Sequence, residues 1–158
     1  MGQTPATNPM PVVEFRNVCK TFNPGRKNAF LAISDISFRV DDLADAGELV
    51  TMVGPSGCGK STILRIIAGL GPQFPPTEGE VLVLGQPITG PGADRGMVFQ
   101  SYTSFDHRTV LDNVAFGLEC QGVSRSQRHE MARAWIAKVG LDVAKTQGKY
   151  PHELSGGM

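Results

Sequence analysis

The feature that most constrains the fold of this chain is a glycine-rich segment set between two apolar runs. The segment Gly54 to Thr62 reads GPSGCGKST, and it follows the apolar run LVTMV at residues 49–53. Such a run favours a strand buried on both faces, as in a parallel sheet covered by helices. From Lys60 to Leu70, apolar residues cover most of the circumference of a predicted buried helix. The order of strand, loop and helix therefore predicts an α/β fold.

The spacing within this segment predicts that it binds phosphate. It fits the P-loop pattern Gly-x4-Gly-Lys-[Ser/Thr]. Glycines let the backbone bend tightly and bring N–H groups close to phosphate oxygens, and the following helix adds its positive end. Lys60 would neutralise charge on the β and γ phosphates, and the Ser61 hydroxyl would ligate Mg²⁺. The predicted nucleotide-binding residues here are Gly54, Pro55, Ser56, Gly57, Cys58, Gly59, Lys60, Ser61 and Thr62, with Cys58 as a small filler rather than a nucleophile.

Length, charge and cysteine content limit the classes of protein to which the chain can belong. The 158 residues predict one domain, and their 15 basic and 15 acidic residues are interspersed, so no nucleic-acid partner is expected. The three cysteines lack a Cys-x-x-Cys spacing, which is typical of free thiols. No apolar run approaches the roughly 20 residues that span a bilayer.

The beginning of the chain predicts an antiparallel sheet with one solvated side. Residues 1–11 hold three prolines and are expected to form a flexible tail. The segments Val12–Val18 and Ile33–Val40 alternate apolar and polar residues, as half-buried strands do. An acidic loop at residues 41–48 follows.

Two further strands and then helices are predicted after the glycine-rich segment. EVLVLG at residues 80–85 and RGMVFQ at residues 95–100 are the strands, and Thr109–Glu119 is helical. Ser124 with Gln127 predicts a capping box that opens a helix through Val139, which Gly140 ends. The tryptophan within it, Trp135, is expected in the core.

Two more motifs resemble landmarks of one family. LSGGM, Leu154–Met158, resembles the LSGGQ signature motif of ATP-binding cassette proteins, and MVFQ, residues 97–100, resembles their Q-loop. In VCKTF, Phe22 stands where that family places the aromatic that stacks on adenine, although it could equally be an ordinary core or surface aromatic.

The resemblance implies a P-loop NTPase core with a helical subdomain, spanning residues 12–158 and divided into 12–100 and 101–158. It implies that ATP and Mg²⁺ are bound between two subunits that face each other head to tail. Ser155, Gly156 and Gly157 of one subunit would meet the γ-phosphate held by the P-loop of the other. Lys60 and Gln100 would be the catalytic residues, and Ser61 and Gln100 would ligate the metal.

A narrower resemblance points to importers. SYTSFDHRTVLDNVAFGLE and the methionine that ends the signature motif are similar to ATPase subunits of nitrate, sulfonate and taurine importers. That likeness implies a transmembrane permease subunit, a second ATP-binding subunit and a solute-binding protein as partners, at the cytoplasmic face of the membrane. Asp106-His107 replaces the Pro-Trp-like pair expected there, and His107 is either a partner contact or solvated.

Hydrolysis in this family needs an aspartate and a glutamate that close an apolar strand after the signature motif, and later a switch histidine. No four-residue apolar run here closes with Asp-Glu, so the chain is expected to be an N-terminal fragment without the C-terminal strands. The leading hypothesis is the ATPase subunit of an importer. The alternatives are a module that binds nucleotide without hydrolysing it, and an ABC protein of the translation or repair kind.

Overall fold

A four-stranded antiparallel sheet forms the first of two compact units, which divide between Met97 and Val98. The computed structural model describes residues 10–43 and 47–158, so residues 1–9 of the predicted tail and 44–46 of the predicted loop lie outside it. The strands are β1 (Pro11–Phe22), β2 (Phe30–Asp41), β3 (Glu78–Val83) and β4 (Gln86–Pro87), in the order β2-β1-β3-β4. The expected antiparallel start and the α/β class are confirmed, although β1 already begins at Pro11.

One helix packs on this sheet and completes the first core. Helix α1 spans Lys60–Ile67, three residues shorter than predicted. It buries Ile63 and Ile66 against the sheet, while Leu64 on its other side is 50% exposed. The prediction of a helix buried around most of its circumference was therefore wrong. The core residues of this unit are Phe15, Val18, Ile33, Ile63, Ile66 and Val81.

Two predicted strands are not strands in the structure. Residues 49–53 and 95–100 are irregular, and Leu49 and Val98 are 93% and 98% exposed. An apolar strand with two buried faces needs hydrogen-bonded neighbours and a covering layer on each side. In residues 10–43 and 47–158, no segment pairs with either run.

The second unit is helical. Its helices are α2 (Val110–Val114), α3 (Phe116–Cys120), α4 (Arg125–Lys138) and α5 (Val143–Thr146), followed by a 3₁₀ turn at Pro151–Glu153. The single helix predicted over residues 109–119 is thus two short helices that meet at Ala115. The second core consists of Val110, Leu111, Ala115, Ala132 and Ile136.

Helix α4 begins and ends almost as predicted. The Ser124 hydroxyl accepts from the Gln127 N–H, as in a capping box. The Gln127 side chain accepts from the Ser124 hydroxyl, whereas in a full capping box it would accept from the Ser124 backbone N–H. Gly140 follows the last turn with φ +83°. Trp135 was wrongly placed in the core, since it is 53% exposed with the Lys138 ammonium 4.4 Å from its ring centroid. None of the described helices is long and apolar enough to cross a bilayer.

A test of the first core compares two positions on α1. Ile66→Ala removes a fully buried side chain and is expected to lower the free energy of unfolding by about 2–5 kcal/mol. Leu64→Ala, on the exposed side, should cost less than about 1 kcal/mol. Urea unfolding followed by circular dichroism measures both variants. Equal losses would contradict the orientation of α1.

A test of the second unit uses a carboxylate that links two helices. Asp112 on α2 accepts from the Thr109 hydroxyl at 2.7 Å and lies 3.0 Å from the His129 ring on α4. The Thr109 hydrogen bond, followed by His129, holds the pKa of Asp112 below its usual value. Because the folded pKa is the lower one, this stability is present above about pH 4 and is lost as pH falls through the folded pKa.

Asp112→Asn should therefore flatten the acid side of the stability curve. The urea midpoint, followed by the emission of Trp135, the only tryptophan, is expected to fall less steeply below about pH 4 than in the parent chain. Asp106→Asn is the matched control, since Asp106 is exposed and has no partner among the residues described. An unchanged acid limb in Asp112→Asn would refute the assignment.

Candidate nucleotide-binding site

The glycine-rich segment forms a loop that opens directly into α1. Gly59 is the N-cap of the helix in a left-handed conformation, with φ +96°, and no side chain caps the first turn. The first N–H groups of an α-helix have no acceptor within the helix, so this end is a site of positive potential. Ser61, in the same turn, is exposed. The loop therefore presents hydrogen-bond donors to a ligand.

The Lys60 ammonium folds back over this loop. It donates to the carbonyl oxygens of Gly54 at 2.8 Å and Pro55 at 2.6 Å, and lies 3.6 Å from the Cys58 sulfur. These carbonyls hold the positive charge against the first residues of the loop. Residues 54–62 thus contain an ammonium, an exposed hydroxyl and uncapped backbone N–H groups.

The end of the loop lies directly on β2. A Cβ at Gly59 would stand 2.5 Å from Cγ2 of Ile33 and 3.2 Å from the Ala32 carbonyl oxygen. Only glycine permits this approach of the backbone to the strand. The contact fixes the loop to the sheet through a residue of the first core.

The same contact relates the loop to Phe22. Ile33 pairs across the sheet with Lys20 of β1, and Phe22 lies two residues further along β1, opposite Phe30. Phe22 is half-buried, and the Lys20 ammonium is 5.5 Å from its ring centroid. Phe22 and the glycine-rich loop therefore belong to the same end of the sheet.

Gln100 lies in the second unit, where it is exposed. The segment that follows it is held by Asn113 of α2, whose side chain accepts from the Phe105 N–H at 2.7 Å and donates to the Phe105 and Arg108 carbonyls at 3.0 Å. His107 is exposed, 5.8 Å from the Phe105 ring. The Asn113 side chain thus binds backbone groups of the segment after Gln100 and holds that segment against α2.

Ser155, Gly156 and Gly157 are exposed in a turn that the Met158 N–H closes on the Ser155 carbonyl at 2.9 Å. The Tyr102 hydroxyl donates to the Gly156 carbonyl at 3.1 Å, and a Cβ at Gly156 would meet that hydroxyl at 3.0 Å. Leu154, just before the turn, packs on the second core. The motif therefore forms an exposed turn.

The residues of the loop are suited to an anionic group. The glycine at the helix start leaves no room for a Cβ, and the Lys60 ammonium has neutral partners, the Gly54 and Pro55 carbonyls and the Cys58 sulfur. An anion offers that ammonium stronger, charge-assisted hydrogen bonds than neutral carbonyls do. The donor set is therefore suited to an anionic ligand.

Two residues near these motifs were missed from the sequence. Lys20 is only 8% exposed, and burial lowers the pKa of its ammonium. The sequence did carry a signal for Lys20. It stands two residues before Phe22 on a strand, and residues at this spacing lie on the same face. Tyr102 gave no such signal, because its bond to Gly156 joins positions 54 residues apart.

Comparison with known proteins decides the family. The model of the ABC transporter family matches residues 34–158, well over half of the chain. The chain belongs to the ABC transporter family. Within this ABC chain, the match includes the glycine-rich loop, Gln100 and Ser155–Gly157, whereas Phe22 precedes it.

Several curated proteins are similar to this ABC chain. An uncharacterized ABC transporter ATP-binding protein of Methanocaldococcus jannaschii is 50% identical over 83% of the chain and 46% of that protein. A nitrate import ATP-binding protein of Synechocystis is 47% identical over 85% of the chain and 47% of that protein. A taurine import ATP-binding protein of Escherichia coli is 44% identical over 80% and 46%. The chain spans about half the length of the curated relatives it matches.

The close approach of Gly59 to β2 yields a test with a matched partner. Gly57 and Gly59 both have left-handed backbones, with φ +82° and +96°, but only Gly59 has atoms of β2 where a Cβ would be placed. Alanine at either position should cost about 1–2 kcal/mol of backbone strain. Gly59→Ala should cost a further 1–3 kcal/mol or so from overpacking. Urea unfolding compares the two variants, and equal losses would contradict the contact.

Proposed function

We propose that this ABC chain binds ATP in the loop Gly54–Thr62. The observation that carries the proposal is the Lys60 ammonium, held over the loop by two carbonyls next to an uncapped helix start. Backbone N–H groups of the loop would hold the phosphates, and Lys60 would contact the β and γ phosphates. Phe22, at the same end of the sheet, would stack on the adenine ring.

Ser61 and Gln100 would ligate Mg²⁺, and Lys60 and Gln100 are the proposed catalytic residues. When bound, the metal would neutralise charge on the phosphates. Ser61 is exposed in the first turn of α1, and Gln100 is exposed in the second unit. Both side chains are therefore accessible to a ligand, which supports these roles.

We propose that a second ATP-binding subunit completes the site. The turn Ser155–Gly157 offers a hydroxyl and bare glycine backbone at an exposed position, which are suited to approach an anion held by the other subunit. The proposed domain comprises residues 12–158, with residues 12–100 holding the nucleotide and residues 101–158 carrying the signature turn.

The proposed setting is an importer at the cytoplasmic face of a membrane. Relatives named as nitrate and taurine import ATP-binding proteins support a permease subunit and a solute-binding protein as partners. A relative of Rhizobium meliloti, 46% identical, is named for Fe(3+) ions, so sequence likeness alone does not select a nitrate-, sulfonate- or taurine-like solute.

We further propose that a polypeptide of these 158 residues binds ATP without turnover. No four-residue apolar run in it closes with Asp-Glu, the pair expected to hold the metal and to act as general base. A general base contributes typically 10²–10⁴-fold to a rate. A polypeptide without this base would therefore keep ATP binding but hydrolyse ATP far more slowly.

The test compares two lysines. Lys60→Met removes a charge that would contact phosphate and should weaken ATP binding by about 10- to 100-fold, the value of one charged hydrogen bond. Lys145→Met removes a charge whose side chain is 82% exposed and should change affinity less than about twofold. Isothermal titration with ATP and Mg²⁺ gives the affinities, and a phosphate-release assay on the same samples measures turnover.

Equal affinities in the parent chain and Lys60→Met would contradict the proposed nucleotide site. Binding without phosphate release would support the proposed lack of turnover. Mg²⁺-dependent phosphate release that Lys60→Met abolishes would refute that part and leave the site in place.

A further inference from the structure

Lys20 is a buried cation that the proposed nucleotide chemistry does not use. It lies in β1 with 8% of its surface exposed, between Cys19 and Thr21. No aspartate or glutamate of the described residues forms an ion pair with it. Burial lowers the pKa of its ammonium, because removal from water disfavours the charged form. A buried charge without a carboxylate is costly, and a methionine would fill a similar volume without that cost.

Two groups hold the Lys20 ammonium in place. It donates to the Pro75 carbonyl at 2.6 Å, and it stands 5.5 Å from the centroid of the Phe22 ring. Residues 20 and 22 of a strand project to the same face of the sheet, so this pairing follows from the backbone of β1. A cation at this distance from an aromatic face is attracted by the ring quadrupole.

The loop that supplies the carbonyl is itself tied to β1. The Thr77 N–H donates to the Cys19 carbonyl at 2.8 Å, and the Thr21 N–H donates to the Thr77 hydroxyl at 2.8 Å. The Pro75 carbonyl is therefore a fixed acceptor, and it fixes the ammonium that faces Phe22. The ring is half-buried, so part of its surface stays accessible.

We propose that Lys20 is a positioning residue that holds the Phe22 ring from one face, so that the other face receives the adenine base of the nucleotide. The inference rests on the proposed function, because it concerns how the base is bound at that site. Lys20 touches neither phosphate nor metal in this arrangement. Its contribution is to the base alone.

The experiment separates base binding from phosphate binding. Affinities for ATP and for inorganic tripolyphosphate, each with Mg²⁺, are measured by titration of the whole chain. Lys20→Met removes the charge at similar length, Lys20→Gln keeps a donor for the Pro75 carbonyl without a charge, and Lys20→Arg keeps a cation. Phe22→Ala removes the ring, and Lys145→Met is the control for loss of a lysine charge.

Lys20→Met and Lys20→Gln are expected to weaken ATP binding by about threefold to tenfold, part of the value of one stacked base. They should change tripolyphosphate binding less than about twofold, and Lys20→Arg should retain most of the ATP affinity. Retained tripolyphosphate binding also shows that a variant is folded. If one of the two neutral variants does not fold, the other provides the comparison.

Four outcomes would overturn the inference. Unchanged ATP binding in both neutral variants, alongside weakened binding in Phe22→Ala, would remove Lys20 from the site and leave the proposed function intact. Equal weakening for ATP and tripolyphosphate would mean a general structural role. Unchanged ATP binding in Phe22→Ala would remove the ring as the base contact, and no binding of either ligand by the parent chain would refute the proposed function itself.

Discussion

The structure of the first unit depends on a backbone contact between Gly59 and β2. Because Gly59 has no Cβ, the start of α1 approaches Ile33 more closely than any other residue would allow. Ile33 belongs to the core that also holds Ile63 and Ile66 of α1, so one contact sets both the loop and the helix against the sheet. Gly59 also adopts its left-handed backbone without the strain that a Cβ would cause. The proposed phosphate-binding loop therefore ends on a close contact with a strand of the sheet.

No carboxylate of the described residues forms an ion pair with Lys60 of the loop, so its positive charge is not neutralised. Lys60 is held by two carbonyl oxygens, and the first turn of α1 contains no acidic side chain. A carboxylate there would form a strong, charge-assisted pair with the ammonium and compete with an incoming anion. Neutral carbonyls hold the ammonium in position more weakly. The positive potential therefore stays available to a ligand, and the same reasoning applies to Lys20, which a carbonyl and a ring hold in place of an acid.

Local sequence signals predicted those parts of the structure that local contacts determine. The alternation in β1 and β2, the serine cap of α4 and the glycine-rich loop all follow from residues within a few positions of each other. The runs 49–53 and 95–100 were predicted as strands from their local sequence, but a strand needs a hydrogen-bonded neighbour, which sequence near the run does not reveal. Trp135 was misplaced because size and apolarity predict burial only on average, and in the structure the side chain is 53% exposed.

The residues around the candidate site show the same division between local and distant information. The P-loop spacing located residues 54–62, whereas the contact of Gly59 with Ile33 spans 26 positions and needed coordinates. The Lys20–Phe22 pair depends on both local and distant residues. The two-residue spacing of the pair is visible in the sequence, but the hydrogen bond that holds the Lys20 ammonium comes from Pro75, 55 positions away. The Lys20 ammonium faces the Phe22 ring because the two residues are neighbours on one face of β1, and the Pro75 carbonyl holds the ammonium in place. The ammonium therefore constrains the position of the ring. That constraint matters most where an aromatic must present a fixed face, because stacking depends on the geometry of two planes and tolerates little rotation of either.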